Sequence, residues 1–385
     1  MKKYILLFLV FINTGVLIAQ EWHRPETRVP YRDVNGKLIV DVEINGKVCS
    51  FLFDTGAGGT CIIDSLYAEL GLDSLRVMRI TDSSRKQSRQ IVARGDTLRM
   101  GGWTITNLPL WVLNSNSLPY ECYGVEGIIG SDVLQNRAVR FESRDSTILL
   151  AADASAFGLE KREGIKVILH GNRPSIRCIF ENERKRSSQS VVFDSGASGF
   201  SLNTDAFQVL DRKGVIADKE EGVGRRSYGV HGIEEERIQY RAVIPRFTIG
   251  SEALKQVPVA TTSGRSSLLG TFLLKYGNVT IDYGRKRFYY EVFADSDNRT
   301  LDPFFPPITR VYVDEEMVVG VVWEDALKRV IRSGDRIVSI NGRPAAEYDK
   351  CHAFTGGFTP DEGAVVAVET ESGDIIEVIV IEKKE

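Results

Sequence analysis

Two aspartates, Asp54 and Asp194, each close an apolar run and are followed at once by a hydroxyl, a glycine and an alanine: Phe51-Leu52-Phe53-Asp54-Thr55-Gly56-Ala57 and Val191-Val192-Phe193-Asp194-Ser195-Gly196-Ala197. An apolar run stopped by Asp-Thr/Ser-Gly reads as a buried strand that delivers its carboxylate at a tight turn. Two carboxylates that meet on one water cannot both ionise, because like charges at that separation raise one pKa, so the pair shares a proton. One member can then take a proton from the water while the other gives one to a carbonyl oxygen, which hydrolyses an amide without a metal or a covalent intermediate. Thr55 and Ser195 are expected to tie the two turns together through their hydroxyls, and Gly56 and Gly196 to let backbone approach both carboxylates.

The rest of the chain repeats with the two turns. Asp54 to Gly130 and Asp194 to Gly270 are both 76 residues apart, and each glycine follows two aliphatics (Ile128-Ile129, Leu268-Leu269) and precedes a hydroxyl (Ser131, Thr271). The register continues through Leu134 and Leu274, Val139 and Val279, Phe141 and Ile281, and Glu142 and Asp282. Self-similarity of this length implies duplication.

On these residues the chain resembles the aspartic peptidases, specifically their retropepsin-like branch, over residues 31–292. Members carry Asp-Thr/Ser-Gly-Ala in each lobe and a later aliphatic pair followed by Gly that packs behind the active-site loop. The resemblance implies Asp54 and Asp194 as catalytic residues supported by Thr55, Gly56, Ala57, Ser195, Gly196 and Ala197, with polypeptide as substrate and no cofactor. Retroviral members need a dimer, whereas both halves in one chain imply a monomer. Ala57 and Ala197 offer no further hydroxyl to the carboxylates, so the working range is expected above strongly acidic pH.

The elements that must position these residues are strands. Lys37–Ile44 alternates into Asn45-Gly46, a two-residue hairpin signal, and Lys47–Phe53 returns to deliver Asp54. In the second half Ser175–Phe180 leaves, Glu181–Gln189 forms a longer loop, and Ser190–Phe193 delivers Asp194. Gln20–Tyr31 reads as an extended polar lead-in. Helices are expected at Ile63–Leu70 and Thr204–Leu210, ended by Gly71 and by Lys213-Gly214. Each is followed by a segment placed to cover a cleft. In the second half its tip is Tyr228-Gly229-Val230-His231-Gly232, either a mobile flap or a tight structural turn; in the first half, Thr81–Ile91 is polar and lacks glycine. Trp103 and Trp111 read as core or hairpin aromatics. The fold class is mainly β: two pseudo-twofold-related acid-protease β-barrel lobes followed by a small α+β domain.

That last domain follows the proline-rich break at 301–308. Ser333-Gly334-Asp335-Arg336-Ile337-Val338-Ser339-Ile340-Asn341-Gly342 resembles the signature of PDZ domains over residues 309–385, with strands at Met317–Val322, Ala364–Thr370 and Ile375–Ile381, and helices at Asp325–Ile331 and Glu347–Phe354. The resemblance implies a groove for an extended peptide, often a C-terminus. The helix is short and Gly356-Gly357 stands behind it, so a brace for the second lobe is the alternative use.

The domain organisation is therefore a signal peptide at 1–19, a first lobe at 20–155, a second at 156–300, a linker at 301–308 and the PDZ-like unit at 309–385. Met1-Lys2-Lys3 and the apolar run to Ile18 read as an export signal cleaved after Ala19, since the run is shorter than the roughly 20 residues of a span. This implies a secreted or periplasmic protein without a stable membrane span. The net charge of −3 does not suggest nucleic acid, and it becomes more negative once Lys2 and Lys3 are removed. The four scattered histidines form no His-Glu-x-x-His, and no metal is expected. Five cysteines cannot all pair within one chain; Cys49 and Cys178 read as buried free thiols in strands. A catalytically silent peptide binder that kept the fold is the alternative to an active endopeptidase.

Overall fold

A computed structural model describes residues 20–22, 26–81, 87–115, 117–229, 232–294, 299–356 and 361–380. The expected signal peptide at 1–19, Val230 and His231 of the expected tip, and residues 82–86 of the polar segment Thr81–Ile91 lie outside these residues. The described chain is mainly β. Among the described residues no helix is long and apolar enough to cross a membrane.

The hairpin of Lys37–Ile44 and Lys47–Phe53 turns at Asn45 and Gly46, whose φ of 48° and 87° put both residues in the left-handed region that this dipeptide tolerates. Its second strand pairs in parallel with Gly127–Ile129, and the Asp54 amide donates to the Ile129 carbonyl at 2.9 Å. The same arrangement recurs where Lys185–Phe193 pairs in parallel with Leu268–Leu269 and the Asp194 amide donates to Leu269 at 2.9 Å. The repeated aliphatic pairs thus run beside the strands that deliver the acids.

Two strand expectations need correction. The loop expected at Glu181–Gln189 is only a tight turn at Glu183-Arg184, because Arg173–Asn182 and Lys185–Phe193 pair out to Asn182 and Lys185. Their polar side chains occupy an exposed face, which hides the strand from a hydropathy reading. The polar lead-in is likewise strand: Glu26–Val34 pairs with Thr147–Ala151 and with the start of Lys37–Ile44.

Six antiparallel strands join the halves, in the order Glu26–Val34, Thr147–Ala151, Ala138–Glu142, Gly277–Asp282, Arg287–Val292 and Ile165–His170. A single hydrophobic core runs from Val29 to Phe288 across both. Within it Phe141 lies 5.8 Å from Phe53 and 5.7 Å from Phe193, so the rings preceding the two acids meet on one aromatic partner. Trp103 is fully buried in this core.

The expected helices form at Asp64–Leu70, closed by Gly71 in the left-handed region, and at Thr204–Arg212, capped by Asn203. A further helix, Leu118–Tyr123, was not foreseen; Pro119 sits at its start and Gly124 ends it.

Residues beyond 308 gather around a second core that includes Tyr312, Val319, Ile337, Phe354 and Val378. Its strands are Ile308–Val313, Glu316–Val322, Arg336–Ile340, Val365–Glu369 and Ile375–Ile379. The helix expected at Asp325–Ile331 is a 3-10 turn at Leu327–Arg329. The one expected from Glu347 begins at Lys350, because Asp349 caps it by accepting from the His352 amide. A disulfide, Cys122–Cys351, ties this unit to the first half, while Cys49, Cys61 and Cys178 are free. Arg241 ties it to the second half, with its guanidinium over the rings of Phe305 and Trp323 and a 2.7 Å bond to the Pro306 carbonyl.

Candidate active site

The turns carrying Asp54 and Asp194 are interlocked by four reciprocal hydrogen bonds. Thr55 Oγ1 donates to the Phe193 carbonyl at 2.9 Å and accepts from the Ser195 amide at 3.0 Å. Ser195 Oγ donates to the Phe53 carbonyl at 2.8 Å and accepts from the Thr55 amide at 3.0 Å. Both hydroxyl residues are fully buried, so each bond replaces water that could not otherwise reach those groups.

The two glycines are required by this interlock. A Cβ on Gly56 would fall against the carboxylate of Asp194, and one on Gly196 against that of Asp54, closer than real Cβ atoms ever come. Each acid therefore lies over the opposite turn, and the two carboxyl groups are within hydrogen-bonding reach of one another. Gly130 and Gly270 are needed for the same kind of reason: a side chain on the first would strike Gly59 backbone, and on the second the carbonyls of Ala197 and Gly199. Ser131 and Thr271 follow them and hold the acid turns from behind, their amides donating to Ala57 at 2.8 Å and Ala197 at 2.9 Å.

The environments of the acids differ. Asp54 is half-buried and its Oδ1 accepts two amides, from Gly56 at 2.8 Å and Ala57 at 2.9 Å. Asp194 is 8% exposed and its Oδ1 accepts one amide, from Gly196 at 2.9 Å. Burial first, then the charge and hydrogen bond of Asp54, hold the Asp194 carboxyl well above the usual carboxylate range; Lys37 and the Gly196 amide act in the opposite sense. Ala57 and Ala197 add no side-chain donor; the upward direction at Asp194 comes from burial and from Asp54.

Sequence reasoning missed Lys37. Its Nζ donates to the Gly196 carbonyl from the hairpin tip of the first half, close enough for both acids to act on it. Desolvation lowers its pKa, and the charges of Asp194 and Asp54 oppose that. The tip holds twice more, since Ser198 Oγ donates to the Asn35 carbonyl at 2.8 Å and Thr271 Oγ1 to that of Gly36 at 2.7 Å. From the other half, Asn172 Nδ2 donates to the Gly58 carbonyl at 2.9 Å. The available signal was Asn35-Gly36-Lys37 and Gly171-Asn172 preceding their acid turns by similar distances. Tyr283 was missed too; its hydroxyl lies 3.1 Å from Ser131 Oγ, and burial raises its pKa. Trp111, read as a hairpin aromatic, is half-buried with its indole directly behind Gly59.

The expected tip of the second half is a short hairpin, Tyr228–Gly229 against Gly232–Ile233. Glu234 anchors its base, accepting from the Arg226 and Ser227 amides at 3.1 Å each and from Gln239 at 3.0 Å. Tyr228 does not stand free: its ring lies against Phe354 of the C-terminal unit. The comparable first-half segment is a longer hairpin, Ser74–Thr81 with Gln87–Met100. Among the described residues no group of His, Cys, Asp and Glu is gathered to hold a metal ion.

No curated protein matches the chain. A family model described as aspartyl protease matches residues 40–133, a span that holds Asp54, Gly130 and Ser131 and stops before the second acid turn, and the match points to peptide hydrolysis by an aspartic protease.

Proposed function

We propose that this chain is a single-chain aspartic endopeptidase of two pseudo-twofold-related lobes, with Asp54 and Asp194 as its catalytic pair. The observation that carries the reading is the Thr55–Ser195 interlock, which leaves each carboxylate lying over the opposite glycine. In the resting pair Asp54 is the carboxylate and Asp194 the acid, as their unequal amide bonds and burial favour. A water between them gives a proton to Asp54 and attacks the scissile carbonyl carbon, while Asp194 protonates the carbonyl oxygen. The resulting gem-diol collapses as Asp54 returns its proton to the departing nitrogen, the C–N bond breaks, and a diol proton goes back to Asp194. Hairpins 74–100 and 217–249 follow the helices of their halves and serve as the two covers of the cleft for an extended polypeptide.

The unit at 309–385 is PDZ-like in this reading, and the protein acts outside the cytoplasm after removal of 1–19. The Cys122–Cys351 disulfide supports that compartment.

Hydrolysis of a mixed peptide library from about pH 3 to 8 tests the assignment. Asp54→Asn and Asp194→Asn are each expected to lower kcat by about 10²–10⁴-fold, the range for losing an acid–base group. Equal cutting by all three proteins would overturn it.

A further inference from the structure

In the C-terminal unit, strand Ile308–Val313 and helix Lys350–Thr355 both meet one side chain of the second half, Tyr228. Among the described residues the strand pairs only with Glu316–Val322, which leaves backbone groups along its other edge to be satisfied from elsewhere. At Tyr312 they are satisfied by Tyr228. The Tyr312 amide donates to the Tyr228 hydroxyl at 2.8 Å, and that hydroxyl donates to the Tyr312 carbonyl. The Tyr228 ring meets Phe354 on the facing helix edge-on, with centroids 5.1 Å apart.

The chain leading to Tyr228 is bound as well. Val223 and Gly224 pair antiparallel with Val322 and Val321, and the Arg225 amide donates to the Gly320 carbonyl at 3.0 Å. The approach is close enough that a Cβ on Gly224 would collide with that carbonyl, and one on Gly320 would press on the Arg225 carbonyl. From the first half, Tyr123 packs on the same Phe354 at 5.7 Å, next to the disulfide from Cys122 to Cys351 on that helix. The backbone pairing falls on strand Glu316–Val322 and the aromatic anchor between Tyr312 and Phe354; together they are the two parts of peptide recognition by strand addition, here supplied within one chain.

We propose that the edge of strand 316–322, together with the space between residues 308–313 and 350–355, is a binding site for an extended segment bearing a tyrosine, and that its resident ligand is this chain's own segment 222–229. Tyr228 is the anchor: its phenol replaces a strand partner at Tyr312, and its ring fills the space before Phe354. The site is closed to outside peptides while Tyr228 is seated. Its effect on catalysis rests on the reading of hairpin 217–249 as a cover of the cleft, because the site then fixes one cover to the C-terminal unit.

The test uses the full chain with its disulfide intact. In Tyr228→Phe the Tyr312 amide loses its acceptor, and its hydrogen exchange is expected to accelerate about threefold to tenfold, with amides of Lys47–Phe53 unchanged. A fluorescein-labelled peptide of the sequence of residues 222–229 is expected to raise its anisotropy with Tyr228→Ala and not with the wild type. Unchanged exchange at Tyr312 in Tyr228→Phe, or equal peptide binding by both proteins, would overturn the proposal. Neither readout requires peptide hydrolysis, so an inactive wild type would sink the peptidase reading and leave this one standing.

Discussion

At the scale of single residues, the acids are distinguished by what surrounds them. Asp54 is held by two amides and Asp194 by one in a drier position, and that burial raises the pKa of Asp194. Lys37 is the cation that acts on the pair, while the other ionisable groups facing it, Tyr283 and Cys61, are kept neutral by burial that raises their pKa. Removing the ammonium removes a stabiliser of the pair's negative charge, so the shared proton is held to higher pH. Lys37→Met should therefore move the alkaline limb of kcat/KM upward, and Lys37→Arg should leave it near the wild-type position. A limb that stays put in Lys37→Met would deny Lys37 this role. The acids were legible in the sequence because type and spacing repeat. Lys37 was not, because Asn-Gly-Lys occurs twice: Lys47 of the second copy goes to Glu69 at 2.6 Å and Glu126 at 3.0 Å on the surface. Only the packing of the halves separates the two.

Elements deliver the acids through paired turns, and the interlock makes those turns one rigid body. Thr55→Val would keep volume but leave the Ser195 amide and the Phe193 carbonyl buried without partners, at about 1–3 kcal/mol for each. Urea unfolding should show a loss of that size, while Thr55→Ser should recover most of it. A Thr55→Val protein as stable as the wild type would mean the interlock contributes nothing. The hairpin at Asn45-Gly46 and the helix ending at Gly71 could be read directly, since both depend on left-handed backbone that few residues tolerate. The strands at 26–34 and 185–190 were hidden because exposed polar residues alternate there, and their pairing is decided by distant partners. The segment at 228–232 could be read as a turn, but its anchorage could not, because Tyr312 and Phe354 lie more than 80 residues further along the chain.

Over the whole molecule, one core spans both halves and a second fills the C-terminal unit, with the disulfide, Arg241 and Tyr228 fastening the second to the first. Five cysteines left the pairing open in the sequence; the partners are 229 residues apart and meet only because helices Leu118–Tyr123 and Lys350–Thr355 pack together. A disulfide typically contributes about 2–4 kcal/mol. Cys351→Ser is expected to lower the melting temperature, most clearly for residues 308–380 followed by hydrogen exchange. An unchanged melting temperature would show that the strand pairing and Arg241 suffice without the bridge.

The central claim is that Asp54 and Asp194 act on one water, and the most direct measurement is a crystal structure of the protein with a statine-type inhibitor, whose hydroxyl stands in for that water. The expected result is a single hydroxyl oxygen within about 2.6–3.2 Å of both carboxylates. An inhibitor bound elsewhere, or a hydroxyl that reaches one carboxylate while the other faces a separate cavity, would contradict the account.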